Sequence, residues 1–306
     1  MTCKSLARLL VLLVIFGESA LALQAADQKT TGTRRVLIIC GHPGDEAHHR
    51  HFAETIDRLR QGLIQNLHVQ PDQISLQFGA EPIANDPGMI LTATGRSTRE
   101  EIESNVARIR EELQPDDSLW VIVIGHAHYD GRHAHFNLPG PDFRSDEFAK
   151  LFTGIACQEQ VFFLTCPVSG YFIKSLTAPN RIVITATEDD LEVNETICAA
   201  ALADVLSNPP TRQVFDADQD DKLTLFDLYI VLVRRVIERY TQEMLVVTEH
   251  ALLDDNGDGR GSEAQIDYLT EEQGGRWKAG TVPAKPKRDG LVSSKVPLTI
   301  QLPAAP

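Results

Sequence analysis

The chain has 306 residues, 42% of them hydrophobic and 24% charged, with a formal net charge of −14. That length can hold one large domain or two modest ones around a buried core, and the composition is that of a globular protein, not a fibrous or disordered one. The acidic balance argues against nucleic acid and anionic membrane surfaces as partners.

Lys4 and Arg8 precede an apolar run over 9–16, and Ala20 and Ala22 supply a small-x-small cleavage motif. Residues 1–22 therefore read as a secretory signal peptide, too short to span a bilayer. The mature chain is expected to be secreted or periplasmic, with no membrane attachment after cleavage. Residues 23–34 are polar and aperiodic, a flexible lead-in. Cys40, Cys157, Cys166 and Cys198 remain, too sparse for a disulfide framework; pairing and free buried thiols both fit.

A first strand is predicted over 35–40, stopped by the turn Gly41, His42, Pro43, Gly44. Apolar residues at Phe52, Ile56, Leu59, Leu63 and Ile64 recur at helical spacing and predict a helix after it. The turn, with Asp45 three residues after His42, resembles the zinc motif of LmbE-like deacetylases, and a zinc-dependent deacetylase is one functional reading. The structural alternative is a solvated loop leading into the helix.

Residues 74–79 alternate apolar and polar, as in a strand with one covered face. Ser97 with Glu100, or Thr98 with Glu101, has capping-box spacing, and a helix follows through Ile102, Val106, Ile109 and Leu113. Two apolar runs then stand out. The run 119–124 delivers Gly125, His126 and Ala127, and the run 161–165 delivers Cys166, Pro167, Val168, Ser169 and Gly170. Such runs suit strands buried on both faces of a parallel sheet, whose carboxyl ends form the crevice where ligands bind.

A His and a Cys at two such ends can act as base and nucleophile. His126 would take the Cys166 proton and return it to the leaving amine. Main-chain N–H groups around Gly125, Ala127 and Gly170 would meet the oxyanion. His128, His133 and His135 sit in a polar loop and read as solvent-facing, although His126, His128 and Asp130 offer a second metal alternative.

Gly125 and His126, then Tyr129, Asp130 and Gly131, the stretch 136–142, and Cys166 with Ser169 and Gly170 together resemble the caspase-like cysteine peptidases, specifically the legumain-type branch and its bacterial secreted relatives. The likeness spans residues 35–205. It implies a three-layer caspase-like α/β fold with a mostly parallel sheet flanked by helices. It also implies hydrolysis of a peptide or protein substrate by Cys166 and His126, with no cofactor in the chemical step. Two positions depart from the family pattern. Ala127 stands where the family has Gly, and a Cys-x-Ser-Gly spacing would put Pro167, not Cys166, at the nucleophile. The alternative reading is a catalytically inactive binding or structural module.

Residues 181–186 form another buried run, and 206–270 read as a helical extension with two acidic loops. In the first, Asp216, Asp218, Asp220 and Asp227 occupy positions 1, 3, 5 and 12, with a carbonyl position at Lys222. This is the oxygen spacing that calcium needs in an EF-hand loop. Asp221 holds the position usually given to Gly, and the alternative is an acidic turn capping the helix after Thr224. The second loop offers Asp254, Asn256, Asp258 and the Arg260 carbonyl, and ends at Gln265. A long amphipathic helix is predicted over 225–245 between them. Residues 271–306 lose periodicity and read as a flexible tail.

Overall fold

Strands β1 (Arg34–Cys40) and β4 (Ser118–Ile124) lie side by side and parallel at the centre of an eight-stranded sheet. The structure is a computed structural model that describes residues 32–81, 93–189, 192–276 and 284–304; the expected signal peptide lies outside them. Outward from β1 run β2 (Ile74–Phe78) and β3 (Gly95–Arg96). Outward from β4 run β8 (Glu159–Leu164) and β9 (Arg181–Thr185), all parallel. With β10 (Leu252–Asp254) and β11 (Ser262–Glu263) beyond β9, the strand order is β11-β10-β9-β8-β4-β1-β2-β3, so the chain reverses its direction of growth between β1 and β4. A small antiparallel sheet of β5 (Ala127–Tyr129), β6 (Ala134–Phe136) and β7 (Phe143–Arg144) rises from the end of β4.

The continuous apolar runs form central strands because both pleat faces are covered. Val36, Ile38, Trp120, Ile122, Val161 and Phe163 face one helix layer, while Leu37, Ile39, Leu119, Val121, Phe162 and Leu164 face the other. Each such side chain contributes about 1.5–3 kcal/mol on burial. On the first face lie α1 (Glu46–Gln65), α4 (Cys198–Ser207) and α5 (Leu225–Gln242); on the second lie α2 (Arg99–Glu112) and α3 (Ser145–Leu151). The chain is thus α/β, with a mostly parallel sheet flanked by helices.

Caps start the helices where the sequence signals them. Asp45 accepts the His48 N–H at 2.9 Å at the start of α1. Of the two capping pairs before α2, Thr98 and Glu101 form the cap, while Ser97 instead donates its hydroxyl to the Cys40 carbonyl at 2.6 Å. Three helices are pinned through one carboxylate: Asp204 on α4 pairs with Arg58 of α1 and with Arg235 and Arg239 of α5.

Two boundaries differ from the sequence reading. The 206–270 segment is no appendage, because α5 buries Leu225, Phe226, Leu228, Tyr229, Leu232 and Val233 in the same core as the sheet. Strands β10 (Leu252–Asp254) and β11 (Ser262–Glu263) also extend that sheet, antiparallel, beyond β9. The expected flexible tail lies against the body over 284–304. Ala284, Asp289, Ser293, Val296 and Leu298 are buried, and Leu298 donates its N–H to the Leu223 carbonyl at 2.8 Å. Sparse but well-spaced apolar residues and main-chain hydrogen bonds suffice to dock a segment without helical periodicity. No helix among the described residues is long and apolar enough to cross a membrane.

Candidate functional site

The reversal between β1 and β4 is where an open parallel sheet offers a ligand crevice, and it delivers His42 and His126. The crevice is closed by backbone. Gly41 donates its N–H to the Ile124 carbonyl at 2.8 Å, and His42 donates to the Asn137 carbonyl at 3.0 Å. A Cβ on Gly41 would sit 2.4 Å from that same Asn137 oxygen, and Gly125 adopts φ +137 against Gly41. Only glycine permits this approach.

His126 turns from this point toward α1. Its Nε2 lies 3.1 Å from the Pro43 carbonyl, so that nitrogen carries the proton and donates it. The ring packs against His48 and Phe52, with centroids 4.8 and 5.4 Å away. His48 in turn sits between two carboxylates, Asp45 at 2.8 Å and Glu195 at 3.2 Å, and these hold its imidazole above the usual histidine range.

Cys166 lies at the exit of β8 and is 1% exposed, within the apolar core on the α2 and α3 face. Burial pushes its thiol up to about 12, away from the thiolate a nucleophile requires. No hydrogen bond joins it to His126 among the described residues. Its surroundings are tied down: Thr165 donates N–H and hydroxyl to the Val123 carbonyl at 3.0 and 2.7 Å, and Thr196 donates its hydroxyl to the Thr165 carbonyl. Val168 then adopts φ +51, a costly conformation for a β-branched residue.

The Ser169 and Gly170 pair has a structural task here. Ser169 Oγ accepts the Ala186 and Thr187 N–H groups at 3.0 and 3.1 Å, and the Gly170 N–H donates to Thr187 Oγ1 at 3.4 Å. These bonds dock the turn on the end of β9. Ala127 begins β5 and pairs with Phe136. The other histidines stay in the hairpin: His128 meets Asn137 at 2.9 Å and stacks on His135, and His135 meets Asp130 at 2.9 Å. His126, His128 and Asp130 thus point to separate partners. His42 accepts the Gly44 N–H at 3.0 Å through Nδ1, and Asp45 caps α1. Neither belongs to a group of three convergent metal-ligand side chains among the described residues.

The first acidic loop brings three carboxylates together. Asp216, Asp218 and Asp227, all buried, place carboxylate oxygens within 4.8 Å of one another. The wrap is set by main-chain bonds. Asp216 accepts the N–H groups of Asp220 and Asp221 at 3.2 and 3.1 Å, and Asp220 accepts that of Lys222 at 2.9 Å. Asp221 takes φ +65 at the position where the spacing calls for glycine. Asp227 is both cap and wall: it accepts the Ala217 and Thr224 N–H groups, each at 2.8 Å. Burial raises the Asp218 and Asp227 carboxyls above the ordinary aspartate range.

The second loop repeats the wrap without the convergence. Asp254 accepts N–H groups from Gly257 and Gly259, both at 3.1 Å, and Asp258 accepts that of Arg260 at 2.9 Å. The Gln265 side chain turns away, donating to the Glu249 carbonyl at 3.3 Å, while the Arg288 guanidinium pairs with Asp258. Asn256 closes its own turn on Asp258 N–H at 2.9 Å. Another convergent group, Glu188, Glu192 and His250, is filled by its own pairs, His250 with Glu192 and Arg276 with Glu188.

Sequence reasoning missed Glu249 and Lys285. Glu249 is buried beneath the start of α4 and accepts the Ile197 and Cys198 N–H groups at 2.6 and 3.1 Å. No local pattern marks it, since these two N–H partners lie some fifty residues earlier and the third donor, the Tyr240 hydroxyl at 2.9 Å, lies nine residues earlier. Lys285 donates to the Asp218 carbonyl, and its only signal was a cluster of basic residues in an aperiodic stretch. No protein-family model matches the sequence, and a search of curated proteins finds no significant match.

Proposed function

We propose that the protein is a non-catalytic binding or structural module of caspase-like architecture that takes up calcium in the Asp216–Asp227 loop. The observation that carries this reading is the convergence of Asp216, Asp218 and Asp227, buried together in an EF-hand-like wrap. Calcium prefers six to eight oxygen ligands in a loop that can adjust. Three convergent carboxylates and the Lys222 carbonyl at the seventh position of the loop support the reading, while the Asp220 carboxylate lies outside the convergent three and pairs with the Lys222 N–H and ammonium. A divalent cation would also relieve the cost of holding buried carboxylates together, which raises Asp218 and Asp227.

The peptidase and deacetylase readings draw less support from the same structure. A peptidase needs a thiolate within reach of its base, and Cys166 is buried with a raised pKa. A zinc hydrolase needs three ligands around an open position, and His42 and Asp45 are engaged in closing their own turn.

Calorimetric titration of the purified chain with calcium tests the proposal. One saturable event is expected in the wild type, with a rise in melting temperature. Both should vanish in Asp216→Asn with Asp218→Asn and persist in Asp258→Asn. A titration with no heat and no thermal shift in the wild type, at millimolar calcium, would sink the reading.

A further inference from the structure

A concavity of about 910 Å³ opens beside the first residues after β8 and β9, away from the closed crevice. Its walls are the β5–β6 hairpin, the helical turns over 169–176 and the second acidic loop. The volume is in the range of small-molecule sites. Tyr129 stacks on Tyr171 with centroids 4.0 Å apart and planes at 8°, joining the hairpin to the turns.

Three cationic side chains, Arg132, Lys174 and Arg260, line this cavity. Nearly every other Lys and Arg among the described residues is committed to a carboxylate, a carbonyl or a ring; Arg99 with Glu147, Arg144 with Asp146 and Arg276 with Glu263 are examples. Arg132, Lys174 and Arg260 make no such bond, and elsewhere among the described residues the same holds only for Arg234 and Lys295. The backbone brings two of the three to one rim, since a Cβ on Gly259 would lie 3.9 Å from Lys174 Cα. Arg132 faces them from the hairpin.

The acidic lining residues are largely neutralised from within. Asp146 is held by Arg144 and Lys150, and Glu188 and Glu263 both meet Arg276. Among the described residues the carboxylates of Asp189 and Asp267 have no cation partner, Lys287 donating only to the Asp267 main-chain carbonyl, so both can accept hydrogen bonds from hydroxyl or amine groups. In a chain of net charge −14, three uncommitted cations around one concavity single it out as a place for an anion. Guanidinium forks match carboxylate and phosphoryl oxygens in pairs, and an ammonium adds a point charge.

We propose that this cavity binds a small organic molecule carrying at least two oxyanion groups, carboxylate or phosphoryl, gripped by Arg132, Lys174 and Arg260. The site is separate from the Asp216–Asp227 loop and does not depend on calcium there.

The full chain, in calcium-free buffer of low ionic strength, is titrated separately with citrate and with pyrophosphate by calorimetry. Saturable binding of at least one probe is expected, weakened tenfold or more in Lys174→Ala with Arg260→Ala and independently in Arg132→Ala. Preference for citrate assigns carboxylates to the ligand, and preference for pyrophosphate assigns phosphoryl groups. Arg260→Lys, which keeps the charge but loses the fork, should bind more weakly than the wild type and more tightly than Arg260→Ala. Absence of binding by both probes, or affinity unchanged in the alanine variants, overturns the proposal.

Discussion

The Lys285 ammonium donates to the main-chain carbonyl of Asp218, so a cation from the C-terminal segment already stands at the edge of the first acidic loop. The same segment crosses to the second loop, where Arg288 pairs with Asp258 and Asp255 accepts the Val292 and Ser293 N–H groups at 3.1 and 2.7 Å. A segment whose regular structure is limited to one 3-10 turn at Ser293–Lys295 and one β-bridge at Pro297 thereby ties both acidic loops to the body.

If calcium enters the loop, the ammonium opposes it. Lys285→Met is expected to tighten calcium binding by about 0.2–1 kcal/mol, the range of an exposed charge pair, and to lower the melting temperature slightly without calcium. Calorimetry at two salt concentrations checks this, since the gain should shrink as ionic strength rises.

Stability should fall with rising pH between mildly acidic and neutral conditions. Burial raises the Glu249 carboxyl from an ordinary 4.5 to about 7, and burial likewise raises Asp289 to about 6. A carboxyl raised in the folded state favours folding fully below its unfolded value, and that contribution is lost as pH climbs through the folded one. For Glu249 the loss is on the order of 3 kcal/mol. Denaturant unfolding at pH 4.5, 6 and 8 should show the decline, and Glu249→Gln should remove about half of it, leaving the part due to Asp289; a wild-type profile that rises over this window would refute the assignment.

Helices α1 and α4 meet at Gly62. A Cβ there would lie 2.4 Å from the Leu206 carbonyl carbon and 2.6 Å from the Ser207 nitrogen, both backbone atoms that cannot rotate aside. Gly62→Ala is expected to destabilise the fold by about 1–3 kcal/mol, as overpacking does, even though alanine is the better helix former. Chemical denaturation measures the loss, and an unchanged midpoint would mean the helices separate without cost.

Native Cys166 should resist alkylation. Iodoacetamide is expected to label it only after unfolding, and peptide libraries should show no turnover that depends on it. Selective native labelling at Cys166, with cleavage lost in Cys166→Ala and His126→Ala, would instead restore the peptidase reading.

Local pattern alone determined the strands β1, β4, β8 and β9, the helices that follow their spacing, and a cap at Ser97 or Thr98, between which the structure chose Thr98. These depend on short-range periodicity and on side chains that reach a neighbour three or four residues away. The convergence of Asp216, Asp218 and Asp227 was equally legible, because the three carboxylates lie on one short loop and the helix start that follows it and need no distant segment to meet. Tertiary structure alone decided where His126 and Cys166 face, since a one-residue change of direction at a strand end chooses between crevice and core. It also decided that the C-terminal stretch docks, and that Arg132, Lys174 and Arg260, more than forty residues apart, share one cavity. Burial and charge pairing are properties of neighbours in space, and no window along the chain contains them.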